Sequence, residues 1–292
     1  DEKSSHAYLS SAHTLPLVQD GQMAARAMGI TRWQDQHTLT ANRYSSASYN
    51  FEAPNTQLSG SLDTTIKVGG GSNVEVYDYF DGMAVRNDID DNNKIRMEAI
   101  EAGSRRVTFK SRCAHLQVGA VFTLSAHYRP DQNGDYLLLD AEHEGRNNGY
   151  GVFGIEDSVG FESVATCIST KVQYREVFKT AKPKVYGVQT ATVVGPENEE
   201  IYTDKYGRIK VQFHWDREGQ KNENSSCWIR VSQLVASNLH GAQFLPRTGQ
   251  EVLVSFLNGD PDYPIVSGAI YNAQKMTPYP LPANKTRSGL KT

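Results

Sequence analysis

A train of five short runs, rich in β-branched and aromatic residues and cut off by turn formers, constrains this chain most. The runs span residues 187–194, 209–215, 228–233, 251–256 and 265–271. Gly195-Pro196, Tyr206-Gly207, Pro246 and Gly259-Asp260-Pro261 stand between them. Glycine and proline break regular structure for backbone reasons, so the runs cannot merge into a helix. Five short strands at close spacing fit a small closed barrel such as the OB-fold. Lys182-Pro183 marks the start of this unit, and residues 276–292, with Pro278, Pro280 and Pro282, read as an extended arm.

Upstream the patterning is also mainly β. Residues 30–51 predict two extended strands, Gly69-Gly70-Gly71-Ser72 interrupts, and 74–79 predicts another. Residues 93–106 predict the one helix. Strong helix formers fill it, Ile95, Ala99 and Ala102 share a face, and Lys94/Glu98 and Glu101/Arg105 have i,i+4 spacing. Strands follow at 107–113, 121–128 and 136–143, the last entered through Asn133-Gly134, a hairpin signal. The fold class is therefore mainly β with a minor helical part. A β-rich domain over 1–181 carrying one helix precedes an OB-fold barrel over 182–275 and an arm over 276–292.

The chain has 292 residues, 38% of them hydrophobic, enough for two domains with real cores. Thirty basic residues balance 33 acidic ones. Between residues 184 and 271, ten carboxylates outnumber eight basic side chains, the wrong sign for binding a polyanion by counterion release. No nucleic-acid partner is expected. Cys113, Cys167 and Cys227 form no CxxC pair and read as small buried residues of a chain folded in a reducing compartment. The acidic run from Asp88 to Asn92 fails as a calcium loop, because Asn93 and Ala99 stand at its glycine and glutamate positions, and reads as a solvated helix entry. His143-Glu144 would point to opposite faces of a strand, whereas His214 and Asp216 would share one if their strand continues that far. Neither pair has a third partner, so no catalytic residue, cofactor or metal is expected. Trp33, Trp215 and Trp228 are either core or interface.

Two blocks are more specific than a generic barrel. One is Asp204-x-Tyr206-Gly207-Arg208 with Val211-x-Phe213-x-Trp215-Asp216. The other is Pro246-Arg247-x-Gly249-Gln250-Glu251-Val252 with Gly259-Asp260-Pro261-Asp262. These closely resemble the VgrG (valine-glycine repeat) family of type VI secretion spikes, and Ile30-Thr31-Arg32-Trp33, Glu75 to Tyr79, Glu98 to Gly103 and Asn133 to Tyr136 are similar to it more loosely. The resemblance implies a structural rather than enzymatic protein. It would be a β-barrel-like, phage-tail-hub-like part over 1–181, an OB-fold of the spike, and a neck leading to a β-helix needle that this chain lacks. It further implies a homotrimer that caps the Hcp tube and bears a PAAR-repeat tip protein on the needle. Baseplate components, effectors or adaptors would be further partners, with transient contact with the target membrane. Such a protein assembles in the bacterial cytoplasm and leaves through the apparatus. The hub of a contractile phage-like particle would share this architecture, and a missing C-terminal extension could be an effector enzyme. Opening at Asp1 without an initiator Met, the chain reads as part of a longer protein.

Overall fold

A computed structural model describes residues 5–11, 13–18, 29–66, 74–82, 85–145 and 161–291. The Gly69–Ser72 break lies outside them. The chain divides into two compact units, Asp1–Lys179 and Thr180–Thr292.

The first unit contains β1 (Thr14–Pro16), β2 (Ile30–His37), β3 (Arg43–Tyr49), β4 (Leu58–Asp63), β5 (Glu75–Asp81), α1 (Arg86–Ser104), β6 (Arg105–Ser111), β7 (Val121–Ser125), β8 (Gly134–Gly145) and β9 (Phe161–Ser169). Six strands form one sheet in the order β1-β7-β8-β9-β6-β2. A parallel bridge between Leu17 and Ile30, with the Val18 N–H donating to Ile30 O at 2.8 Å, joins the two ends. The sheet therefore closes on itself and has no free edge there. Alternation does the sorting. Along β6, Val107, Phe109 and Ser111 point inward while Thr108 and Lys110 are half exposed. Phe109 packs against Phe122 at 5.2 Å between ring centroids and against Trp33 at 5.9 Å. Leu15, Leu124, Leu138 and Cys167 complete the buried interior.

A three-stranded sheet, β4-β3-β5, carries α1 on β3 and β4. The helix begins seven residues before the sequence pattern suggests and ends at Ser104. Its buried stripe runs through Ile89, Asn93, Met97 and Ala102, whereas Ile95 is exposed. Gly60 lets β4 lie flush beneath it, since a Cβ there would stand 2.9 Å from Asp90 Oδ1. The expected i,i+4 pairs are spent elsewhere. Glu98 pairs with Arg175 at 2.7 Å, Glu101 accepts from Thr64 and Thr65, and Arg105 reaches Asp35. With the Arg96 guanidinium stacked 3.7 Å over Phe178, the Glu98–Arg175 pair straps residues 175–178 onto α1.

Asn133-Gly134 does not form a two-residue hairpin. β7 stops where Ala126 takes φ 57, and a single helical turn over Pro130–Gln132 fills the connection before β8. Gln132 is buried in that turn, where it bonds to Asp35 and Arg105. That burial fixes the longer loop.

The second unit contains β10 (Gln189–Val194), β11 (Lys210–Phe213), β12 (Arg230–Val231), β13 (Glu251–Phe256) and β14 (Pro264–Ile270), in the order β11-β10-β13-β14-β12. Ile209 and Ile229 exchange backbone hydrogen bonds of 2.9 and 2.8 Å and close β11 against β12. The β12–β14 pair is parallel and β10–β11, β10–β13 and β13–β14 are antiparallel, which is the OB connectivity. Ala191, Val193, Val211, Val252, Val254 and Val266 fill the barrel. Residues 276–291 carry no helix or strand. Asn284 N–H donates to Pro280 O and Arg287 N–H to Asn284 O, turning the chain locally.

Candidate functional site

The residues singled out for possible chemistry are placed apart. His143 Nδ1 lies 2.7 Å from Ser163 Oγ and its ring stacks on Phe161. Strand alternation turns Glu144 to the other face. β11 ends at Phe213, so His214 and Asp216 share no face. His214 lies 3.6 Å from Glu251, while Asp216 accepts the N–H groups of Glu218 and Gly219 and caps a turn. Asp88 to Asn92 lie within α1 rather than in a turn before it. Among the described residues no group of three or more His, Cys, Asp or Glu side chains could hold a metal ion. No helix there is long and apolar enough to cross a membrane.

A groove of about 600 Å³ beside α1 is lined by several carboxylates. Three of them already have close partners. Asp63 pairs with Arg43 at 2.6 Å, Glu98 with Arg175, and Glu101 accepts three hydrogen bonds from Thr64 and Thr65.

The sequence blocks that looked most specific build turns. Asp204 accepts the N–H groups of Tyr206 and Arg208 at 3.0 Å and the Arg208 Nε at 2.7 Å, around Gly207 at φ 70. Burial pushes the Asp204 carboxyl up, but these hydrogen bonds and the Arg208 charge outweigh it and hold the pKa below the usual range. Gly249 takes φ 83, and Gln250 and Arg247 lock the neighbouring turn, with Arg247 bound to Glu200 at 2.7 Å. Asp260 and Asp262 both bind Lys182, at 2.7 and 2.8 Å. Replacing Asp204 by Ala removes three acceptor contacts. It should lower the stability of the second unit by about 1–3 kcal/mol, read as a shift in its denaturation midpoint. An unchanged midpoint would assign the turn to its glycine alone.

The aromatic candidates divide. Trp33 is half-buried in the first barrel and donates to Gln132. Trp228 packs tilted against Tyr202, with ring centroids 5.0 Å apart, and Lys210 Nζ lies 5.1 Å from its ring. Trp215 is 68% exposed, stacked on Phe213 and held by Gln189. Cys113 and Cys167 are buried, and burial with the nearby Asp35 charge pushes the Cys167 thiol well up. Cys227 is exposed, against the expectation of a buried thiol, because it sits in the turn-rich approach to β12.

Sequence spacing missed the polar network inside the first unit. Arg105 grips Asp35 through two nitrogens at 2.9 and 2.8 Å, and Gln132 bridges both. Its members come from β2, the β7–β8 connection and the start of β6, so no local pattern could reveal it. Taken together, these carboxylates and caps hold the turns and sheets of the two units in place.

Residues 1–149 match the family described as phage tail baseplate hub (GPD). Residues 189–271 match the type VI secretion system/phage-baseplate injector OB domain. The chain is 42% identical over 260 residues to the type VI secretion system spike protein VgrG1b of Pseudomonas aeruginosa, covering 89% of this chain and 35% of that protein. It is 40% identical over 221 residues to the spike protein VgrG3 of Vibrio cholerae, covering 74% and 22%. It thus spans about a third of the length of the curated relatives it matches. Among solved structures it is similar to the E. coli c3393 protein, described as a type VI secretion component with structural similarity to the T4 tail proteins gp27 and gp5. That match has a TM-score of 0.51 at 14% identity and covers 92% of this chain and 51% of that one. A match to the Francisella PdpA-VgrG complex, half-lidded, has a TM-score of 0.52 at 8% identity and covers 92% and 46%. At these identities the structural likeness speaks for the fold alone.

Proposed function

Since the chain belongs to the VgrG family of type VI secretion spike proteins, joining a tail-hub module to an injector OB domain, we propose that it is a structural hub and spike component of that machine. In this reading three copies assemble and cap the Hcp tube. A needle beyond these residues bears the PAAR-repeat tip, baseplate components receive the assembly, and effectors or adaptors ride on it through the target membrane. The protein assembles in the cytoplasm and is exported through the apparatus, and its own contribution is mechanical rather than catalytic.

The observation that carries this reading is that each unit contains a sheet closed on itself. A part driven by a contracting sheath must keep its shape under load. A closed barrel yields only by breaking many backbone hydrogen bonds at once, and cyclic symmetry spreads stress over identical contacts. The test is solution mass by light scattering over a concentration series. A particle of three times 32.4 kDa is expected. A monomer or dimer at every concentration would overturn a trimeric hub held together by these residues.

A further inference from the structure

An open groove of about 650 Å³ in the second unit lies beside the Asp204–Arg208 turn. One wall is the turn Lys205-Tyr206-Gly207, and the other is a small hairpin over residues 235–242. Ala242 N–H donates to Val235 O at 2.9 Å and Ser237 N–H to His240 O at 3.1 Å. Only glycine fits at Gly241, where a Cβ would stand 2.6 Å from Val235 O. At the tip Leu239 takes φ 63, in the left-handed region, and its side chain is 100% exposed. Leu234, Val235 and Phe244 are exposed beside it. Gln233 fixes Phe244 in both directions, donating to its carbonyl at 3.1 Å and accepting its N–H at 2.9 Å. Apolar side chains are thus held out into water by a braced, strained frame, the kind of arrangement found at sites prepared for a ligand.

The charge of the lining is selective. It includes Lys205 and His240 and no Asp or Glu, although carboxylates are in excess between residues 184 and 271. Lys205 Nζ lies 4.8 Å from the Tyr206 ring, and no carboxylate among the described residues pairs with it. A ligand must therefore offer apolar groups to Leu239, Val235 and Leu245 and an anion to Lys205.

We propose that this groove docks an extended segment of a partner protein in which apolar side chains flank a carboxylate. Resting on the spike reading, the partner would be a cargo or adaptor protein. The probe is a terminally blocked, fluorescein-labelled peptide Gly-Leu-Asp-Leu-Asp-Leu-Gly, titrated by anisotropy with the full chain. Saturable binding is expected, weakened about tenfold or more by Lys205→Glu and by Leu239→Asp, roughly 1.4 kcal/mol or more each. Exchanging the peptide's Asp for Lys, or its Leu for Ser, should weaken binding as much. Both substitutions lie on exposed side chains, and an unchanged melting curve separates lost docking from lost folding. No saturable binding up to millimolar chain, or binding indifferent to both substitutions, overturns the proposal. So does equal binding of the Leu-to-Ser peptide, which would mark simple polyanion attraction. Because anisotropy reads the peptide on whatever particle the chain forms, failure here is distinct from failure to trimerise.

Discussion

Phe109→Ala should lower the stability of the first unit by about 3–5 kcal/mol. The ring is fully buried at the centre of the closed sheet, between Phe122 and Trp33, where neither partner can follow it into the vacated space. Trp33 is held by its hydrogen bond to Gln132 and by an edge contact with Tyr136 at 4.9 Å. For a unit of this size the loss corresponds to a fall in melting temperature of roughly 6–20 °C, measurable by calorimetry. Phe109→Leu, which keeps most of the volume, should lose much less. A fall of under about 3 °C for the alanine variant would mean that the barrel interior repacks freely, contrary to interdigitated side chains.

Asp35→Ala ranks second in expected effect, at about 2–4 kcal/mol, below a fully buried ion pair because Arg105 keeps some contact with solvent. It leaves the Arg105 guanidinium half-buried without its carboxylate and strips Gln132 of an acceptor. Burial alone would raise the Asp35 pKa, but the Arg105 hydrogen bonds and charge, helped by His37, outweigh it and hold the carboxyl below its usual value. The folded pKa thus lies below the unfolded one. The stabilisation is complete above the ordinary carboxylate range of about 4 and drains away as pH falls through the folded value. In urea titrations the gap between the natural chain and Asp35→Asn should be widest near neutrality and narrow below about pH 4. A gap constant from pH 7 to pH 3 would show that packing, not charge, sets it.

The strands of the second unit were legible because runs rich in β-branched and aromatic residues stand between glycines or prolines that end them, although β11 and β12 are shorter than the runs at 209–215 and 228–233. β13 spans the same residues, Glu251–Phe256, in sequence and structure. The first turns of α1 were not legible. Asp88, Asp90, Asp91 and Asn92 are poor helix formers, and burial of Ile89 and Asn93 against β3 and β4 overrides their preference. β9 escaped notice because it is built partly of small residues, Ser163, Ala165 and Cys167, whose inward alternation carries little hydrophobic signal. Family resemblance lay in turn chemistry such as Asp204 and Gly207, readable because few side chains satisfy a left-handed turn. The groove between Lys205 and Leu239 was hidden. Its walls are far apart in sequence, and an exposed leucine on a loop has no pattern to announce it.

The two closed sheets have a consequence for aggregation. Strand addition needs an open edge, and among the described residues the small sheet β4-β3-β5 is where edges remain. Val74, Val76, Tyr77 and Tyr79 are exposed along or beside β5, a composition prone to pairing with another chain. Glu75 and Asp78 interrupt that run with negative charge. Like-charged strands then repel at the moment they would align, so these carboxylates act as gatekeepers against edge-to-edge pairing of one chain with another.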